Sequence, residues 1–271
     1  MDGLILASEC DVANEVICAP ANVNDLFFNS RAWFTVGGFA FTRTSFLIFL
    51  AAALSVAFLF FSLRKGSLVP GRLQTMGEGV VGFVRDDLGR SIIGPEGDRY
   101  LPYLLSLFMF ILIGNLFEVT PLVNFPITSR MAIPLFLSLV TYVIFVVVGF
   151  KKNGIRYVLD IAWPKSVPVA LRPLVGLIEL VSTFALRPIT LAVRLFANLV
   201  AGHLMLTLLL GSGVIFVLAI GDIGAKAGLG VIWFAVGMGI FVFEIVVAIL
   251  QAYIFVLLSA VYIQSSVHPE H

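Results

Sequence analysis

Residues 191–206 read LAVRLFANLVAGHLML. They lie inside an apolar run, 190–210, and yet contain Arg194. A guanidinium does not deprotonate in a protein, and at the centre of a bilayer it costs at least ~2.5–3.5 kcal/mol. A chain that keeps an arginine there pairs it or uses it. Asn198 follows at i+4 on the same helical face, and Gly202 comes one turn later. This spacing predicts a thin polar stripe on a membrane helix, suited to another charged helix sliding closely past.

The rest of the chain fits that setting. Its 271 residues are 60% hydrophobic and 12% charged, and the mean hydropathy of +1.06 is that of an integral membrane protein. A net charge of +1 gives no electrostatic basis for binding nucleic acid. The opening residues, MDGLILASECDVANE, lack the basic start and apolar core of a signal peptide. Cys10 and Cys18 are close enough in sequence for a disulfide if the tail faces an oxidising compartment; two unpaired thiols are the equal alternative. With no histidine near them they are no zinc site, and neither a metal nor a cofactor is expected.

Apolar runs predict an all-α integral membrane fold with about five embedded helices. Residues 1–43 read as an outer-side tail and 44–63 as the first span. The loop 64–100 is rich in glycine and charge, with a short amphipathic surface helix expected at 76–88. Residues 101–271 form the remaining unit, with spans at 101–122 and 131–150 and a basic loop at 151–172 whose Trp163 suits the interface. Two long apolar segments follow, 173–210 and 229–264. As helices they measure ~57 and ~54 Å, against a hydrocarbon core of ~30 Å. They are expected to form a steeply tilted hairpin, 173–264, joined by the Gly-rich stretch 211–228, with Pro188 able to bend the first arm. Asp222 and Lys226 in that turn read as solvated.

Loops 64–100 and 151–172 hold eleven Lys and Arg, against four on the opposite side. The positive-inside rule then sets the N-terminus outside and the C-terminus in the cytoplasm. No internal repeat is visible, which weakens a duplicated-transporter reading.

Further polar residues interrupt the spans. Asn115 and Glu118 share one face of the second, at i and i+3. They read either as interfacial groups or as the lining of a hydrated vestibule. His203 comes nine residues after Arg194, which at 3.6 residues per turn sets it on nearly the opposite face. Glu244 is embedded in GIFVFEIVVAIL with no Lys or Arg within seventeen residues, so it needs a partner, water or a proton. Imidazole and carboxylate together can pass protons near neutral pH. Gln251 points the same way as Glu244 and, across an antiparallel hairpin, comes near Arg194. Arg187 and Glu179 lie nearer the inner surface, as an interfacial charge pair or as part of an inner exit path.

These residues carry a resemblance. RPITLAVRLFANLVAGH (187–203), FEIVVAILQAYIFVLLSAVYI (243–263) and NLFEVTP (115–121) are similar to subunit a of F-type ATP synthases, over roughly residues 70–265. The resemblance implies the membrane stator of a rotary motor, present once per complex, packed on c-ring subunits in the lipid bilayer and accompanied by peripheral-stalk subunit b. Protons would pass through two offset half-channels to and from carboxylates on the ring. Arg194 matches the essential arginine, Asn198 and Gln251 its polar flank, and Asn115, Glu118, His203 and Glu244 the outer half-channel. Many bacterial members carry the carboxylate and the histidine in the reverse order, so here the pair is exchanged. That order also occurs in mitochondrial members; the expected location is the bacterial plasma membrane, with the mitochondrial inner membrane as the alternative. No P-loop is present, so ATP chemistry is expected on other subunits. A secondary transporter or self-contained channel is the rival reading. A purely structural scaffold leaves Arg194 and Glu244 without explanation.

Overall fold

The computed structural model describes residues 16–18, 34–36, 39–64, 71–120, 130–163, 168–169, 171–219 and 227–267. Cys10, Asp222 and Lys226 fall outside them. Two short strands, β1 (Phe34–Val36) and β2 (Phe39–Phe41), pair antiparallel ahead of the first span. Helix α1 (Arg43–Leu63) then starts at Thr42, whose hydroxyl accepts the Ser45 backbone N–H at 3.4 Å. This N-cap satisfies one of the helix's orphan donors.

The surface helix is longer than expected at both ends. Helix α2 (Arg72–Gly82) continues into a π-helical stretch, Phe83–Ile93. Within α2, Gly77 serves close approach: a Cβ there would lie 2.5 Å from the Ser62 Cβ on α1. The stretch stops at Gly94, whose φ of 84° suits a residue without Cβ. Next come α3 (Gly97–Val119) and α4 (Ala132–Asn153). Gly154, at φ 60°, ends α4, its N–H reaching the Phe150 carbonyl at 2.9 Å.

After α5 (Arg156–Ala162) and α6 (Arg172–Val181), the chain passes through a π-helical stretch, Ser182–Leu186, into α7 (Arg187–Leu218), and α8 (Ala227–Val267) follows. The irregular turn sits just before Pro188, which lacks an N–H and crowds the carbonyl four residues back. Pro188 therefore widens the helix locally. Residues 211–218, expected in the connection, are helical instead. Gly213 is the reason: a Cβ there would lie 2.8 Å from the Phe234 backbone nitrogen, so the glycine lets α8 pack against α7.

Among the described residues, five helices are long and apolar enough to cross a membrane: Arg43–Leu63, Gly97–Val119, Ala132–Asn153, Arg172–Leu218 and Gly228–Val267. The protein is an all-α, multi-pass membrane protein with the number of spans its sequence predicts. The last two, of 47 and 40 residues, reach ~70 and ~60 Å, twice the hydrocarbon thickness of ~30 Å.

The two ends of the bundle differ. At one, Lys152 pairs with Glu96 at 2.7 Å, and Arg85 and Arg90 hold Asp98 at 3.1 and 2.8 Å. The Asn153 amide donates to the Ser266 carbonyl at 3.0 Å, and the Tyr157 and Ser266 hydroxyls share a 3.0 Å hydrogen bond. These contacts tie the end of α8 to α4 and α5. At the other end, residues 16–18 lie on α7 and α8, and Cys18 is disulfide-bonded. Between the ends, α8 buries Ala252, Phe255, Val256, Ala260 and Ile263 against Leu104, Phe108 and Ile111 of α3 and Leu191 and Leu195 of α7.

Candidate functional site

Helix α7 presents two different faces. Leu191, Ala192, Leu195, Leu199, Gly202 and His203 are buried against the bundle. Leu186, Ile189, Thr190, Val193, Arg194, Ala197, Ala201 and Met205 are exposed, spaced by one, three or four residues along the outer face. Arg194 is thus on the outside of the bundle, and among the described residues no carboxylate or hydrogen-bond acceptor meets its guanidinium. Its exposed neighbours one and two turns away are Thr190, Ala197 and Ala201. Small side chains around a membrane charge let a second helix come close.

The polar stripe therefore runs differently from the one the sequence suggested. Asn198 is half-buried, and Gly202 turns inward. The cause is Glu244. A Cβ built on Gly202 would lie 2.6 Å from both Glu244 carboxylate oxygens, so the glycine makes room for a carboxylate arriving from α8. We predict that Gly202→Ala displaces Glu244 and destabilises the protein by the ~1–3 kcal/mol typical of overpacking. Thermal unfolding of the purified protein checks this; an unchanged melting temperature would mean the two helices are not in contact there.

The two helices run antiparallel in one register. Gly202 meets Glu244, a Cβ on Gly237 would lie 2.7 Å from a Leu210 methyl, and Gly213 meets Phe234. Continued inward, this register sets Gln251 level with Phe196, within a turn of Arg194. Gln251 itself is buried, at 5% exposure.

Glu244 and His203 are buried inside the bundle, at 7% and 3% exposure. Helix α3 adds two more groups there. The Asn115 amide donates to the Ala248 carbonyl at 3.4 Å, one turn from Glu244, and Glu118, at 4% exposure, lies within electrostatic reach of Glu244. Three helices thus bring Asn115, Glu118, Glu244 and the 202–203 turn into one buried polar cluster. Apolar surroundings leave such a group of carboxyls two ways to persist, by holding protons or by contact with water. Arg194, nine residues from His203 and on the other side of α7, points away from this cluster.

Arg187 behaves otherwise. Its Nη1 donates to the Ser265 hydroxyl at 2.9 Å, and its guanidinium lies 5.2 Å from the centre of the Tyr262 ring. A charge pair with Glu179, one of the two readings of the sequence, is absent among the described residues; α8 supplies a hydroxyl and an aromatic face instead. Glu179 is half-buried, with no ion pair among the described residues. Sequence reasoning missed the partners of Arg187, the Ala248 carbonyl and the Thr190–Ala197–Ala201 face. Only the last had a signal, three small residues flanking an arginine.

Comparison with known proteins identifies the family. The family model described as ATP synthase A chain matches residues 45–264. ATP synthase subunit a of Pseudarthrobacter chlorophenolicus is 35% identical over 253 residues, covering 93% of this chain and 94% of that one. The protein of that name from a Nocardioides species is 38% identical over 234 residues, 85% of this chain and 83% of its own. That of Rhodospirillum rubrum is 36% identical over 229 residues, 84% and 90%.

Proposed function

We infer the role of this chain from its kinship: it belongs to the ATP synthase subunit a family. In our reading it is the membrane stator of an F-type ATP synthase, passing protons through two offset half-channels to and from carboxylates on a ring of c subunits. One copy serves each complex, held by peripheral-stalk subunit b. The observation that carries this reading is Arg194, a permanent cation on the outer face of a membrane helix, without an acceptor among the described residues and flanked by small side chains. Such a charge calls for an acidic partner on another chain. A ring carboxylate supplies it, and Ala197 and Ala201 admit the helix that bears it. Asn198 and Gln251 flank the meeting point.

The outer half-channel runs through the cluster of Asn115, Glu118, His203 and Glu244. The inner one runs past Arg187 and Glu179. Helix α7 keeps the outer path away from the ring contact, since it buries the turn beside Glu244 and turns Arg194 to the opposite face. The chain lies in the bacterial plasma membrane with its N-terminus outside. Two features support that orientation: the basic loops share one end of the bundle, and the disulfide of Cys18 belongs to the other, where an oxidising compartment would sustain it.

Photo-crosslinking tests the partner. A photoreactive side chain at Ala197 or Ala201 is expected to give an adduct with the small ring subunit in native membranes. The same group at Phe49, 68% exposed on α1, is expected to give none. Equal yields from all three positions would refute the assignment of this face.

A further inference from the structure

Helix α7 ends and α8 begins at the end of the bundle where tail residues 16–18 lie, and Cys18 and Val16 are each bonded to one of the two arms. The Cys18 backbone N–H donates to the Ser212 hydroxyl at 3.0 Å, and that oxygen lies 3.4 Å from the Cys18 carbonyl. Ser212 is fully buried on α7 and Cys18 is 6% exposed. Two positions earlier in the tail, the Val16 carbonyl accepts the indole N–H of Trp233 on α8 at 3.0 Å. One short segment thus hydrogen-bonds to both arms, and it includes a disulfide-bonded cysteine. The sequence holds one other cysteine, Cys10.

We propose that residues 16–18 are an oxidation-dependent clasp that holds the outer ends of α7 and α8 together. The argument is one of entropy. A three-residue strap fixed by a few hydrogen bonds repays little of the ~1–2 kcal/mol per residue lost in ordering its backbone. A covalent cross-link removes part of that freedom beforehand, so the same bonds suffice. The seat is made for a main chain: a buried serine offers one oxygen that both accepts and donates, and a tryptophan turns its only donor to a carbonyl. The clasp acts on the arms that carry His203 and Glu244. Those residues lie nine and eleven positions inward, or ~14 and ~17 Å along the helices. Glycines let the arms touch between the clasp and the cluster, so loosening the ends would loosen that contact first.

This goes beyond the stator reading, and rests on it only for which compartment the clasp faces. The experiment is amide hydrogen exchange on the intact detergent-solubilised complex, with and without a water-soluble trialkylphosphine. The phosphine, with one water, converts the disulfide to two thiols and is itself oxidised to the phosphine oxide. Exchange at 213–218 and 228–236 is expected to rise about tenfold on reduction, as for the loss of one or two hydrogen bonds. Ser212→Ala and Trp233→Phe are expected to raise it without reductant, each breaking one anchor and keeping the packing. Unchanged exchange after reduction and in both variants would overturn the clasp, whatever the state of proton transport. Arg194→Ala is expected to leave this protection intact, so failure of the stator reading and failure of the clasp are separable.

Discussion

Arg194→Ala is expected to abolish coupled ATP synthesis. A rotor carboxylate in an apolar bilayer favours its neutral acid, because burial penalises the charge. In the proposed stator role, it must ionise at this chain to pass its proton to the release path. A fixed guanidinium makes that possible: opposite charges at ~4 Å attract by ~4 kcal/mol at an effective dielectric of about 20, or roughly three pKa units. Without the arginine the carboxylate stays protonated and the ring turns without obligatory exchange. The same positive charge repels any proton crossing directly between the half-channels, so Arg194→Ala is also expected to open a passive leak. Proton flux and ATP synthesis in membrane vesicles measure both effects. Wild-type synthesis in this variant would remove the central claim.

Arg194→Lys separates charge from shape. Lysine keeps a cation, but its ammonium is a compact point charge that deprotonates readily when buried and lacks the planar fork. Because the guanidinium sits on an exposed face between Val193 and Ala197, a shorter side chain is also drawn back from a partner helix. Synthesis is expected to fall nearly to the level of the alanine variant, with a smaller leak.

Much of this was legible in the sequence, for identifiable reasons. Helix number followed from runs of apolar residues, since a bilayer imposes one length scale. The opposed faces of Arg194 and His203 followed from nine residues at 3.6 per turn. What a helical wheel does not give is which neighbour faces the partner. The rows 194–198–202 and 194–197–201 both contain Arg194, and the arrival of Glu244 turns the first inward and leaves the second exposed. Glycine is ambiguous in the same way. Gly213 suggested part of the hairpin connection, yet it sits in α7 and admits α8. Arg187 was read against the nearest acid in sequence, while its partners Tyr262 and Ser265 are more than seventy residues away. The seat of residues 16–18 had no local signal, because its anchors, Ser212 and Trp233, are ordinary residues of apolar helices.

Glu244→Gln is expected to lower proton-driven synthesis by about a hundredfold, the low end of what a positioned acid or base contributes, with assembly intact. Glutamine keeps the volume that fits against Gly202 but does not carry a proton in and out. His203→Ala is expected to act in the same direction, since the relay needs a second titrating group within reach. The decisive variant exchanges the two, as His203→Glu with Glu244→His. Asn115 and Glu118 lie beside Glu244 on α3, and the proposed relay asks of them no movement for a proton to be handed between α7 and α8 in either order. A relay depends on the presence of both groups on facing helices more than on which helix carries which. The exchanged chain is therefore expected to recover more synthesis than either single variant. Position-specific packing would give the opposite ranking, because the double change alters the volume at two buried sites at once and should be the worst of the three. Rates of ATP synthesis driven by an imposed proton gradient, measured in vesicles with matched amounts of assembled complex, distinguish the two outcomes, and a double variant no better than the singles would reduce the cluster from a proton path to a packing contact.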